Sequence, residues 1–179
     1  EGVLEKCQSN LFVYKALQPL STVRRRLVII PPNADKEIGF PLWLSKIWNL
    51  GRNSSARLSF YGTGEILEIL RYVRKVHPID ADFNELNDWS NFLTLTKEVG
   101  KNEALVIIMS RLHKVSYDPV MRQIPDYLNK YFKNVNFMLL YPVQSASSED
   151  YHSDMTNASI LTSIQSLGGI GETILSSMK

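Results

Sequence analysis

Two uninterrupted apolar runs constrain this chain more than any other feature, LVII at 27–30 and ALVIIM at 104–109. Both are rich in β-branched residues, and neither alternates with polar residues. Such runs are typical of strands that are buried on both faces, as the strands of parallel sheets are. We therefore predict that these two strands lie side by side at the centre of a parallel sheet.

Weaker strand patterns cover 57–61, 80–86 and 136–141, and a helical pattern separates each predicted strand from the next. The helical patterns begin near Glu37, at Gly62-Thr63-Gly64, at Asn87-Asp88 and near Pro125. Connections of helix length favour parallel pairing with right-handed crossovers. The sequence therefore predicts an α/β fold, an open five-stranded parallel sheet with helices on both faces.

The chain has 179 residues, which is enough for one domain with a proper core. We divide it into a lead-in at 1–23, an α/β domain at 24–144, and a linker with a C-terminal amphipathic helix at 145–179. Within the lead-in, residues 11–14 form a short β-prone patch. The first residue is not methionine, and we interpret the sequence as a fragment of a longer protein or as a processed product.

Charge and cysteine content exclude several classes of function. Formal net charge is +2, which does not favour a nucleic-acid partner. The basic triplet Arg24-Arg25-Arg26 could touch phosphate or lipid headgroups, but we favour an ordinary solvated segment at a strand entry. Cys7 is the only cysteine, and the three histidines lie far apart, so we predict no disulfide, no metal site and no cofactor. No stretch approaches the roughly 18 apolar residues that span a bilayer.

A ligand on such a sheet is expected beyond the carboxyl ends of the strands. Asn33 follows the first central strand, and the polar, cationic segment from Ser110 to Tyr117 follows the second. Arg111 and the hydroxyls of Ser110 and Ser116 could bind an anion there, although an ordinary solvated loop is the alternative. We predict no catalytic set and no enzyme activity, and we expect Gly62-Thr63-Gly64 to cap a helix rather than bind phosphate.

Several short stretches resemble one family of domains. They are QPLST at 18–22, RLVIIPPNA at 26–34, SR at 110–111, SY at 116–117, IP at 124–125, YF at 131–132 and FMLLYPVQ at 137–144. With the order of elements, they resemble the universal stress protein fold. More narrowly, they resemble the cytoplasmic C-terminal domain of bacterial sodium/proton (monovalent cation/proton) antiporters. The resemblance implies a Rossmann-like three-layer sandwich with strand order 3-2-1-4-5, counting the predicted strands along the chain.

One departure from that family bears on nucleotide binding. Its nucleotide-binding members carry a G-x2-G-x9-G-[ST] pattern after the fourth strand, where glycines let backbone N–H groups wrap phosphates. The segment from Ser110 to Phe132 contains no glycine, and Pro32-Asn33 replaces the acidic residue usual after the first strand. We therefore expect weak or absent ATP binding.

The preferred function is a soluble, non-catalytic regulatory domain on the cytoplasmic side of the inner membrane. Its expected partner is the membrane-embedded transport domain of the same parent antiporter. Two alternatives stay open, a free-standing stress-type protein that binds a nucleotide or other anion, and a small α/β enzyme acting on a nucleotide-like substrate. We also predict a homodimer through the free edge of the last strand, 136–141, since unpaired edge strands readily associate.

Overall fold

The computed structural model describes residues 2–145, 159–164 and 166, and six strands in this part of the chain form one sheet. The strands are β1 (Leu11–Lys15), β2 (Arg25–Ile29), β3 (Arg57–Gly62), β4 (Ala81–Glu85), β5 (Glu103–Ile108) and β6 (Asn136–Tyr141), in the order β1-β6-β5-β2-β3-β4. Between and before the strands lie the α-helices α1 (Val3–Lys6), α2 (Phe40–Asn53), α3 (Gly64–Val76) and α4 (Ile124–Tyr131).

The two most apolar runs of the sequence form the centre of the sheet. β2 and β5 pair in parallel, with Leu27 opposite Leu105 and Ile29 opposite Ile107. All four of these side chains are fully buried. The parallel strands and the helices that connect them confirm the general α/β class, and the apolar runs of β2 and β5 fit strands that are covered on both faces.

The predicted strand count is wrong, and so is the order of the complete sheet. β1, which lies in the segment predicted to be a lead-in, pairs antiparallel with β6 and adds a sixth strand. The remaining five strands are parallel and neighbour one another as β4-β3-β2-β5-β6. Residues 11–15 of the predicted lead-in therefore belong to the sheet, through backbone hydrogen bonds with residues 137–141 of β6.

Helices and turns cover the two faces of the sheet with separate apolar clusters. On one face α2 and α3 pack against alternate strand residues such as Val28 and Phe60, together with Ile160 and Ile164 of the helical segment 159–164. On the other face Trp89 and α4 pack against Leu27 and Ile29 and their neighbours. The result is a three-layer arrangement with a core on each side of the sheet.

Two predicted helices differ from the structure. α2 begins at Phe40 and not at Glu37, and Pro41 lies in its first turn as expected. Glu37 instead follows a short 3-10 turn, Ala34–Lys36. The predicted helix after Asp88 is a 3-10 helix, Trp89–Lys97, that buries Trp89, Phe92 and Leu95. The threefold spacing of these three residues fits the three residues per turn of that helix type.

The basic triplet is a solvated segment at only one of its three positions. Arg24 is exposed, whereas the Arg25 guanidinium pairs with Glu103 at 2.8 Å. Arg26 is 7% exposed and donates to the Ser54 hydroxyl at 2.9 Å. Only Arg24 has the exposure that the interpretation as a solvated segment requires.

The strand edge proposed for dimer formation is occupied within the chain. β1 pairs with β6 from Leu11 opposite Tyr141 to Lys15 opposite Phe137, so β6 has no free edge. A homodimer stays a prediction, but its pairing strand would be β1. Phe12, Val13 and Tyr14 of that strand are 48%, 45% and 44% exposed.

The C-terminal predictions fall largely outside the described residues, which include only residue 145 of the predicted linker, a stretch rich in Ser, Glu and Asp that extends to residue 154. Ile160, Leu161 and Ile164 are buried on one side of the helical segment 159–164, as an amphipathic helix requires. Leu167 and Ile174 lie outside the described part of the chain. No helix among the described residues is long and apolar enough to cross a membrane.

Candidate functional site

The carboxyl ends of β2 and β5 bring two predicted site residues together around a carboxylate of the chain itself. The Ser110 hydroxyl donates to Glu37 Oε1 at 3.0 Å. The Ser116 backbone N–H donates to the same oxygen at 3.3 Å, and the Ser116 hydroxyl donates to it as well. Ser110 and Ser116 are both buried. The two serines therefore bind the carboxylate of Glu37, a residue of this chain, at the position where we predict an external anion.

Gly39 allows the segment that carries Glu37 to lie against the end of β6. A Cβ atom at this position would meet the Pro142 Cβ and the Val143 carbonyl oxygen, both at 2.8 Å. A larger residue would push the segment away from the sheet. Glycine is needed at this position because two backbone segments approach closely, and not because of its φ angle.

Asn33 does not join this cluster. It adopts a left-handed backbone conformation with φ 60°, which asparagine tolerates better than most residues. Its side-chain oxygen accepts a hydrogen bond from Lys36 Nζ at 2.7 Å. In the structure Asn33 shapes the turn after β2.

Arg111 connects the edge of the sheet to the N-terminal segment, residues 2–10. Its Nε donates to the Leu4 carbonyl at 3.2 Å, and its Nη2 donates to the Ser9 carbonyl at 3.0 Å. Its Nη1 donates to the carbonyl of Pro142, just after β6. One guanidinium thus holds three backbone carbonyls from two parts of the chain, which its fixed fork of donors makes possible.

A cavity of about 660 Å³ lies beside this cluster, between the N-terminal segment and the loop after β5. It is lined by Leu4, Gln8, Met109, Ser110, Arg111, Leu112, His113, Lys114, Tyr117, Met121, Arg122, Pro125, Tyr141 and Gln144. Burial raises the pKa of the Tyr141 phenol, and Arg111 offsets part of that rise. The volume suits a small organic molecule.

Two successive turns give the loop after β5 its shape. The Lys114 N–H donates to the Arg111 carbonyl at 3.1 Å, and the Tyr117 N–H donates to the Lys114 carbonyl at 3.1 Å. His113 has φ 70° in the first turn, a left-handed conformation in which histidine is enriched. The turns place the side chains of Arg111, His113 and Lys114 along the cavity.

The segment Gly62-Thr63-Gly64 has the structural role expected of it. Thr63 occupies the N-cap position of α3, although its side chain makes no capping hydrogen bond. None of its three residues lines the cavity.

The sequence interpretation identified Ser110, Arg111 and Ser116 but missed their partners. The sequence predicts a helix that begins near Glu37, and this prediction gives Glu37 no role in the site. Leu4 and Ser9 contribute backbone carbonyls, which no side-chain pattern can reveal. A signal for Glu37 did exist, because it is an acidic residue a few positions beyond a central strand, where parallel sheets gather their functional side chains.

Comparison of the chain with protein-family models, with curated proteins and with solved structures found no match. A proposal of function for this chain therefore depends on the geometry of the site and on the resemblance in sequence.

We expect ATP to bind weakly or not at all. The loop after β5 has no glycine to let backbone N–H groups approach phosphates, and Glu37 already accepts the hydrogen bonds of Ser110 and Ser116. A carboxylate at this position also repels phosphate. Calorimetric titration of ATP into the chain tests the prediction, and a dissociation constant of order micromolar, about −8 kcal/mol, would contradict it.

Proposed function

We propose that this chain is the regulatory domain of a membrane cation/proton antiporter, on the cytoplasmic side of the inner membrane, without catalysis of its own. The observation that supports the proposal is the set of hydrogen bonds from Arg111 to the N-terminal segment. In this proposal the transport domain precedes that segment along the parent chain.

The physical requirement for such regulation is a contact that differs between two states. A tethered domain can shift a transporter between conformations only if a ligand or contact favours one of them. Arg111 is the candidate for such a contact, because it lines the cavity and also binds the carbonyls of Leu4 and Ser9. Ligand binding in the cavity would therefore alter the position of the N-terminal segment and, through it, the transport domain.

In this proposal Arg111, and not the basic triplet, is the residue that links the domain to the membrane part. Neutralising Arg25 and Arg26 would remove an ion pair and a buried hydrogen bond, and would therefore test stability rather than regulation. Arg24 is exposed and lies at the amino end of the central strands. It supplies a matched control for Arg111.

The test is cation/proton exchange in everted vesicles containing the full-length parent antiporter. We expect deletion of the domain, and Arg111→Ala, to shift the half-maximal pH of exchange by about 0.5–1 unit, as a coupling free energy near 1 kcal/mol implies. Transport itself should persist, and Arg24→Ala should behave as the parent does. Identical pH profiles and rates for all variants at equal expression would contradict the proposal.

The cavity supports a second candidate function, a free-standing stress-type protein that binds a small anion. The two candidates differ in where the natural protein is found. An antibody against this domain should detect a membrane-bound protein much longer than this chain if it belongs to an antiporter. Detection only of a protein of this length in the cytosolic fraction would favour the second candidate.

A further inference from the structure

We propose that the cavity between the N-terminal segment and the loop after β5 binds a phosphomonoester with a compact apolar or aromatic body. The role of this ligand as a regulatory effector rests on the proposed function. Binding is measured on the present chain, so it can be established or refuted whatever the exchange experiment shows.

The charge of the cavity favours an anion. Its lining includes Arg111, Lys114, Arg122 and His113, and no aspartate or glutamate. Arg111 is engaged with backbone carbonyls, and neither Lys114 nor Arg122 forms an ion pair with a described acidic residue. Several positive charges match a phosphomonoester, with its charge of about −1.5 to −2 near neutral pH, better than they match a single carboxylate.

Two buried polar atoms in the cavity wall have no hydrogen-bond partner among the described residues. They are the Tyr117 hydroxyl and Gln144 Oε1. Buried polar atoms in folded proteins are nearly always paired, so Tyr117 and Gln144 each have an unused hydrogen-bonding group in this conformation. Both atoms are covered by protein and reach a ligand in the cavity only when their side chains turn toward it. The Tyr117 hydroxyl can then donate to a phosphate oxygen, and Gln144 Oε1 can accept from a hydroxyl or amino group of the ligand body.

The remaining wall is mostly apolar, with Gln8 and Ser110 as its polar residues, and it therefore favours a ligand with an apolar body over inorganic phosphate. Met109, Met121 and Tyr141 are buried, and Leu4 and Pro125 line the cavity with them. Methionine side chains and tyrosine rings pack well against planar rings. A volume near 660 Å³ accommodates a ring and one phosphate.

Phenyl phosphate is the probe for this site, with inorganic phosphate and phenol as its two halves. Binding is followed through the methyl signals of 13C-labelled methionine. We expect the Met109 and Met121 signals to shift, because both residues line the cavity. Met138 packs against the core on the opposite face of the sheet, and its signal should stay in place.

The expected affinities follow from burial of the ring together with pairing of the phosphate. Phenyl phosphate should bind at least about tenfold more tightly than either inorganic phosphate or phenol. Arg122→Gln and Lys114→Gln should each weaken it by about tenfold. Lys101→Gln, which removes the same charge from an exposed residue just before β5, should leave the affinity unchanged.

Two results would overturn the proposal. The first is no binding of phenyl phosphate at millimolar concentration, and the second is equal affinity for the charge variants and the Lys101→Gln control. Vesicles of phosphatidylcholine with phosphatidate present the same phosphate group on a membrane. If the first result is accompanied by binding to those vesicles, the site recognises a lipid headgroup and not a small molecule.

Discussion

Glu37→Ala is expected to lower the free energy of unfolding by about 2–3 kcal/mol. The substitution removes a carboxylate that accepts from the Ser110 hydroxyl, the Ser116 hydroxyl and the Ser116 backbone N–H. Hydrogen bonds to charged groups contribute about 1.5–3 kcal/mol each, and buried donors left unpaired are costly. The expected loss in free energy of unfolding corresponds to only about one such bond, because Glu37 is partly exposed and solvent weakens its hydrogen bonds.

Urea denaturation of three variants tests the role of this carboxylate. Glu37→Gln keeps an acceptor oxygen and should cost only about 1 kcal/mol, since it loses the charge alone. Glu68→Ala removes an exposed glutamate that pairs with Arg71 on α3, and should cost about 0.5 kcal/mol or less. If Glu37→Ala is no more destabilising than Glu68→Ala, then the hydrogen bonds at Glu37 do not hold the loop after β5.

The central part of the fold could be predicted because the apolar pattern that determines it lies within short stretches of sequence. A strand that is covered on both faces must be apolar at each position, and β2 and β5 carry that pattern plainly. The crossovers of helix length then dictate parallel pairing. β1 was missed as a sheet strand because its residues 12–14 are exposed and its pairing with β6 depends on residues more than 120 positions away, as Leu11 opposite Tyr141 illustrates.

The candidate site could be predicted in part for a related reason. The rule that parallel sheets gather functional residues at their carboxyl edge identified Ser110, Arg111 and Ser116. It could not say what these residues contact, because Glu37 lies 73 positions from Ser110 in the sequence. The carbonyls of Leu4 and Ser9 are present in every residue, and only the path of the chain brings them to Arg111.

Glu37 and Arg111 divide the polar edge of the sheet into two parts. Glu37 fills the space between Ser110 and Ser116, at the ends of the central strands. Arg111 faces the other way, toward the N-terminal segment and the cavity. Glu37 therefore occupies the place between Ser110 and Ser116 where we predict an anion. The cavity with its cationic side chains lies next to this place, and a ligand in it would contact Leu4 and Gln8.

Arg111→Ala should loosen the N-terminal segment and β1 while the centre of the sheet stays closed. The substitution leaves the carbonyls of Leu4 and Ser9 without their guanidinium donor, just before β1 begins at Leu11. The loss of charged hydrogen bonds worth about 1.5–3 kcal/mol would raise the rate of local opening by about 10- to 100-fold. Fraying of this kind begins at an edge and need not reach β2 and β5.

Amide hydrogen exchange, read strand by strand, is the measurement for Arg111→Ala. Exchange of the protected amides of β1 should accelerate by about 10- to 100-fold, and that of β2 and β5 should change by less than about threefold. Arg24→Ala removes an exposed arginine just before the central strand β2 and should alter neither set. An equal acceleration in every strand would indicate global destabilisation instead of a local release. Unchanged exchange in β1 would show that Arg111 does not hold the N-terminal segment, and the proposed route from the cavity to the transport domain would then have no physical basis.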